Sequence, residues 1–473
     1  MKRTLSILAV IVLGMTACNK TEVVIERQDS VVYNVSICAN YSGAPESKAV
    51  AEGEAGKLVS TFRTTDNISV FWGSMQANDE DDHVIILHTD ADGKTANING
   101  ALSFYQQETG INPGDSERMV AQELLVGQYL RFVYNASGTL SYSFVPQTGT
   151  LAGLSNYDFA IADVKITAIS GDATGYTLTT EDAHFVNCQS MYKFTFTGLP
   201  TGVGVKSVTI SSAGNHIEDR FFPNSGGYDN APITITLDDA GRTANGAGVV
   251  YAALRFDELA VDATDNITFY VTGTDDVKYV AQKTSPVGGF KNGKYYTSTI
   301  ALSQAPAYLS ATAEDKGKVI GADGNIYADA AAATAAGTTA EAMIAYVGNE
   351  FWLCIHGLAI SLTDAYEYNT TFAQATGDYI IPTWAAAHPV PYGAWRLPSN
   401  KDWQLMMWGY FADYPEPSPV GAMKAAITDG YYWTSVPVGE DNARAVYYDG
   451  TTYASMQILA QTGSWHVRAC LAF

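Results

Sequence analysis

The sequence predicts a mainly β chain, built as antiparallel sandwiches and closed by a unit of mixed α+β texture. Three observations carry this. Short runs alternating apolar and polar side chains recur from about residue 20 to 302, as half-buried strands require. Turn-forming residues separate them within a chain that has 42 Gly and 29 Tyr. Seven of the eight Trp then fall between Trp352 and Trp465, which marks a change of architecture after the Ser303–Ala307 link. A length of 473 residues suits about three domains. The balance of 27 basic against 49 acidic residues, with no long basic stretch, argues against a nucleic-acid partner.

Lys2 and Arg3 precede an apolar run from Leu5 to Leu13, the length of a signal-peptide core and too short for a confident membrane span. Met15-Thr16-Ala17-Cys18 then resembles the lipobox of bacterial lipoproteins. The resemblance implies removal of residues 1–17 and acylation of Cys18, so that a lipid anchor rather than a helix holds the protein to the outer membrane.

Alternation places strands at Val31–Ile37, Asn67–Trp72, Tyr192–Phe196 and Ile267–Thr272. The turn chemistry of Gly171-Asp172-Ala173-Thr174-Gly175 suggests a seam near residue 170, which gives domains of 18–170, 171–305 and 306–473. Cys38, Cys188, Cys354 and Cys470 each sit alone in strand-like runs without CxxC spacing, so buried free thiols are expected, although export also permits disulfides. His83 and His88 have the wrong spacing for a metal pair, and no nucleophile elbow, phosphate loop or paired-acid motif appears. An enzyme is not expected.

In their order along the chain, the lipobox, Arg63-Thr64-Thr65-Asp66-Asn67-Ile68-Ser69-Val70-Phe71, Tyr157-Asp158-Phe159-Ala160, His184-Phe185 with Tyr192-Lys193-Phe194, and Phe290-Lys291-Asn292-Gly293-Lys294-Tyr295-Tyr296 resemble the fimbrillins of Bacteroidales, subunits of type V pili. The resemblance covers about 280 residues and implies two transthyretin-like β-sandwiches. It also implies that a protease cuts after a basic residue, removes a strand, and leaves a groove that another fimbrillin subunit fills by strand addition. Thr21–Arg27 is the expected strand and cut site, with Lys48 and Arg63 as alternatives.

In the last third, Lys318–Tyr327, Gly357–Ile360, Trp395-Arg396-Leu397-Pro398-Ser399 with Asp402-Trp403, Tyr431-Tyr432-Trp433-Thr434-Ser435 and Val467–Phe473 are similar to the C-type-lectin-like module of major-paralogous domains. Ser399 and Asp402 form a capping arrangement ahead of an apolar helix face made by Trp403, Leu405, Met406 and Trp408. Trp433 and Trp465 read as core aromatics. Glu416, Glu440, Asp441 and Asn442 are the candidate ligand groups, with calcium as a possible ion and a polar turn as the plainer reading. Tyr410, Tyr414 and Tyr453 are candidate stacking surfaces. Asp90–Gly93 and Asp323–Asn325 read as Asp-Gly turns.

These readings predict a cell-surface pilus tip subunit that accepts a strand and presents a lectin-like adhesive domain to a surface glycan or protein. Its last strand reads as core and so has no donor role. The alternatives are a non-polymerising outer-membrane lipoprotein that binds glycan or protein, or a pilus anchor subunit.

Overall fold

The computed structural model describes residues 31–41, 51–52, 58–59, 62–64, 66–79, 81–93, 95–108, 118–134, 142–172, 175–212, 214, 216–222, 227–257, 266–286, 289–350, 353–411, 418–419, 422–451 and 453–473. The expectations at Cys18, Arg27, Lys48, Tyr414 and Glu416 lie outside the described residues.

The first sheet contains β1 (Tyr33–Tyr41), β2 (Asn67–Trp72), β3 (Ile86–Thr89), β4 (Thr95–Leu102), β5 (Tyr129–Tyr134), β6 (Ala160–Asp172), β7 (Gly175–Thr180) and β8 (Ala183–Asn187). Strand β1 is bonded antiparallel to β4 on one edge and parallel to β7 and then β8 on the other. The path continues β4–β3–β2–β5–β6 and returns through β7 and β8 to β1. The expected two-sheet sandwich is here one sheet closed on itself, because Ile68–Phe71 of β2 pairs with Arg131–Tyr134 of β5 and leaves no edge between them. The turn after Gly171 joins two strands of this sheet instead of separating two units at residue 170. Gly171 has φ +109, and a Cβ there would lie 2.3 Å from the Gly175 carbonyl oxygen, so the hairpin needs glycine.

The second unit packs two sheets face to face. One contains β9 (Ser190–Thr197), β11 (Ile217–Phe222), β13 (Val249–Phe256) and β16 (Tyr295–Ala301), and the other β10 (Val205–Ser212), β12 (Ile233–Thr236), β14 (Asn266–Gly273) and β15 (Lys278–Thr284). Phe194 and Phe196 meet Phe269 edge to face across the gap, with centroids 5.0 and 5.9 Å apart. Tyr142, Phe144, Leu154 and Phe159 also enter this core, although they lie between β5 and β6 in sequence. The first two units therefore exchange chain instead of following one another in simple succession.

The third unit has a sheet of β17 (Val319–Gly321), β18 (Ala340–Val347), β19 (Gly357–Ser361), β21 (Ala394–Arg396) and β26 (Cys470–Ala472). A second sheet contains β20 (Tyr366–Thr370), β22 (Gly430–Val438), β23 (Asn442–Tyr448), β24 (Tyr453–Ala460) and β25 (Trp465–Val467). Helix α3 (Asn400–Trp408) buries Trp403, Leu405 and Met406 in one core with Tyr432 and Val446. Trp433 belongs instead to a core with α1 (Phe372–Thr376) and α2 (Ile380–Ala387). Trp465 is only half-buried, so the sequence placed its strand correctly but overstated its burial. Asp402 completes the Ser399 capping box and also takes a 2.6 Å hydrogen bond from Arg396 Nη2.

Val280 of the second unit is buried in one cluster with Tyr308, Leu309, Ile320 and Phe473, which docks the third unit on the outer face of β15. Beside it His356 stands edge-on to Tyr270, and burial pushes its imidazole pKa down to about 4, with repulsion from Lys278 acting in the same direction. The unfolded chain takes up this proton near pH 6.5, so stability falls as pH drops from about 6.5 toward 4 and is untouched by this group above that window.

Two outcomes follow for stability. Asp402→Ala strips the cap and leaves Arg396 without its carboxylate, and a loss of about 3 kcal/mol in urea unfolding is expected. His356→Gln should flatten the fall in thermal midpoint between pH 7 and 4.5 relative to wild type; parallel curves for the two proteins would refute the assignment.

Candidate functional site

The candidate site is the slot that β1 occupies. Period-two alternation turns Tyr33, Val35, Ile37 and Ala39 inward, each no more than 5% exposed, and leaves Asn34, Ser36 and Cys38 outside. Cys38 is therefore exposed, against the expectation of a buried thiol, whereas Cys188, Cys354 and Cys470 are buried, and all four are free. Parity along the strand decides the matter, since Cys38 lies one step from Ile37.

At the start of the slot the Tyr33 hydroxyl accepts the Leu124 N–H at 2.8 Å, and burial raises its pKa. At the other end Phe62, Tyr134 and Phe185 meet in edge-to-face contacts, with centroids 5.5 to 6.0 Å apart. Ile98, Leu102 and Leu178 share the core with the inward face of β1. Withdrawing β1 would expose this apolar floor together with the donors and acceptors of β4 on one side and of β7 and β8 on the other. The slot is shaped for a strand with apolar side chains at alternate positions and a main-chain ladder on each edge.

Of the candidate cut sites, Arg27 precedes β1 in sequence, so a cut there leaves β1 in place, while Lys48 and Arg63 follow it. Arg63 is exposed, but its backbone is tied down: its N–H donates to Asp66 Oδ2 at 2.6 Å and its carbonyl accepts from Thr89 Oγ1 at 2.5 Å. Neighbouring Phe62 is fully buried and bonded through its main chain to Gly93.

The described ligand candidates of the third unit are three consecutive residues at one turn. Glu440 and Asp441 are exposed in the turn between β22 and β23, and Asn442 begins β23. Gln461 closes this turn, donating its N–H to the Asp441 carbonyl and its side-chain amide to the Asn442 carbonyl. These two bonds give the segment the geometry of a polar turn; among the described residues no group of three or more His, Cys, Asp or Glu suited to a metal occurs. Asp90, Asp92 and Asp323 likewise accept from local amides and hydroxyls. Tyr410 and Tyr453 are about half exposed and belong to no formed site. Sequence reasoning assigns the removable strand to Thr21–Arg27 and reads Val31–Ile37 as a half-buried strand that follows it; the signal for the β1 slot is the inward set Tyr33, Val35, Ile37 and Ala39.

No family model matches the chain, and no curated protein does. Solved structures similar to it include a fimbrial protein from Bacteroides ovatus, at 13% identity and a TM-score of 0.22, covering 94% of this chain and 99% of that one. The tip fimbrial protein Mfa3 from Porphyromonas gingivalis, truncated at its C-terminus, is similar at 10% identity and a TM-score of 0.25, covering 56% of this chain and 85% of that one. No helix among the described residues is long and apolar enough to cross a membrane.

The parity of β1 has a direct chemical consequence. In the folded protein a maleimide reagent should label Cys38 within minutes and spare Cys188, Cys354 and Cys470 until denaturant is added, as peptide mass mapping would show. Labelling of Cys188 at the same rate would contradict the packing.

Proposed function

We propose that the chain is an exported, surface-held fimbrial subunit in which β1 occupies the acceptor slot before assembly, and whose third unit is presented for binding. The observation that carries this reading is the position of β1. It is the first described strand, it is paired on both edges, and it is followed in sequence by Lys48 and Arg63. A cut after Lys48 would free β1 and keep Phe62 in the core, whereas a cut after Arg63 would also remove Phe62. Lys48 is therefore the preferred site in this proposal, in place of Arg27. The slot would then be refilled by a strand from a neighbouring subunit, with each buried Val, Ile or Tyr of that strand contributing about 1.5–3 kcal/mol.

Strand β26 is paired with β19 and β21 on its two edges, so it has no free edge to offer another subunit. A terminal place in a filament is part of this proposal. A second reading, a lipoprotein anchored through Cys18 that never polymerises, is favoured by the closure of the first sheet, since a ring that already contains β1 needs no partner.

Mass spectrometry of the protein's N-terminus, comparing sheared filaments with the membrane fraction, separates the two. A terminus at Ala49 in filaments is expected, and Lys48→Gln should abolish it and reduce incorporation at least tenfold. An acylated Cys18 terminus confined to membranes, with none in filaments, would overturn polymerisation.

A further inference from the structure

The outer face of the β10–β14–β15 sheet is used in two ways. At one end Tyr270 and Val280 pack into the cluster that docks the third unit. At the other, Ser211, Thr268 and Gln282 lie directly opposite one another on neighbouring strands and form a row of neutral polar groups. The Gln282 side-chain amide donates to Thr268 Oγ1 at 3.1 Å. The row runs from buried Thr268 to exposed Gln282, so one end of it reaches solvent. Tyr392 and Arg396 of the third unit line the opposite side of an open cleft of about 140 Å³ between the two units.

Two further features distinguish this cleft from an incidental gap. Tyr392 has φ +63, a left-handed conformation that bulky side chains rarely adopt. Its turn is clamped there, since Gly393 N–H donates to the Val390 carbonyl and the Tyr308 hydroxyl donates to the Pro391 carbonyl. Strain held in place by its surroundings gathers at ligand sites. Arg396, the cation in the cleft wall, already donates to Asp402 and to the Leu353 carbonyl, so its charge is matched from behind.

We propose that this interdomain cleft binds a neutral sugar, a single hexopyranose unit of a glycan. Gln282, with Ser211 and Thr268 beside it, supplies donors and acceptors for ring hydroxyls, and Tyr392 supplies an aromatic face for the apolar C–H surface of the ring. An acidic sugar is disfavoured because Asp402 neutralises Arg396 and the whole chain carries a net charge of −22. The proposal extends the binding role suggested for the third unit and does not depend on strand exchange.

The test uses the protein from residue 19 onward with methyl glycosides of glucose, galactose, mannose and N-acetylglucosamine, and with glucuronic acid as the charged control. Saturation-transfer NMR should show contact with at least one neutral glycoside. Tyr392→Gly suits the left-handed backbone, so it should keep or raise the thermal midpoint while weakening binding at least tenfold. Tyr392→Phe should bind as wild type, and Thr268→Val should lose at least fivefold. No transfer to any neutral glycoside, equal binding by wild type and both Tyr392→Gly and Thr268→Val, or preference for glucuronic acid would each overturn the proposal. Failure to find a processed terminus in filaments would overturn the polymerisation reading and leave this result standing.

Discussion

The first unit depends on the two-sided pairing of β1. An interior strand contributes main-chain bonds on both edges and apolar side chains to the core, so removing it costs more than removing an edge strand. In the proposed exchange, the same position would let another strand take its place. Main-chain hydrogen bonding does not depend on which chain supplies the strand, and the slot selects only for alternate apolar groups of the size of Tyr33, Val35, Ile37 and Ala39. The parallel contacts with β7 and β8 form one wall of the slot, and the antiparallel contact with β4 forms the other. Because the walls run in opposite directions, an incoming strand meets one parallel and one antiparallel neighbour whichever way it enters.

The third unit answers a different requirement. Its core strand β26 is held on both edges, and the Phe473 carbonyl accepts N–H groups from Ile355, His356 and Gly357. Phe473 also packs edge-on against Tyr308 in the cluster that contains Val280. The unit is thus fastened to the second sandwich by the same residues that close its own sheet. Load applied to the third unit would pass through buried side chains and not through the Ser303–Ala307 link alone. In the proposed binding role, such a joint would spare ligand-binding energy that a flexible one would spend on ordering itself.

Legibility followed the physics of each element. Asn67–Trp72 was read at its observed ends because its alternation is bounded by Asp66 and Gly73. The Ser399 cap was read because it needs only residues three apart. The seam at residue 170 was misread because Gly171–Gly175 is true turn chemistry, and a turn within a sheet has the same composition as a turn between units. Closure of the first sheet, and the entry of Tyr142 and Phe144 into the second core, rest on pairings between residues far apart in sequence, which local pattern does not encode. The polar turn at Glu440–Asn442 drew attention by its composition, whereas the row of Ser211, Thr268 and Gln282 comes from three different strands and exists only once their registers are set.

That contrast bears on how a chain of this composition recognises anything. With a net charge of −22, long-range attraction for acidic surfaces is absent, so affinity for a neutral or acidic ligand has to come from short-range contact. Aromatic faces and neutral hydroxyl or amide groups provide it without the desolvation penalty of a buried ion. The proposed cleft over β14 collects such groups, and it does so where the second and third units share a buried cluster. Binding there would bridge the second and third units and so add to the docking that already unites them.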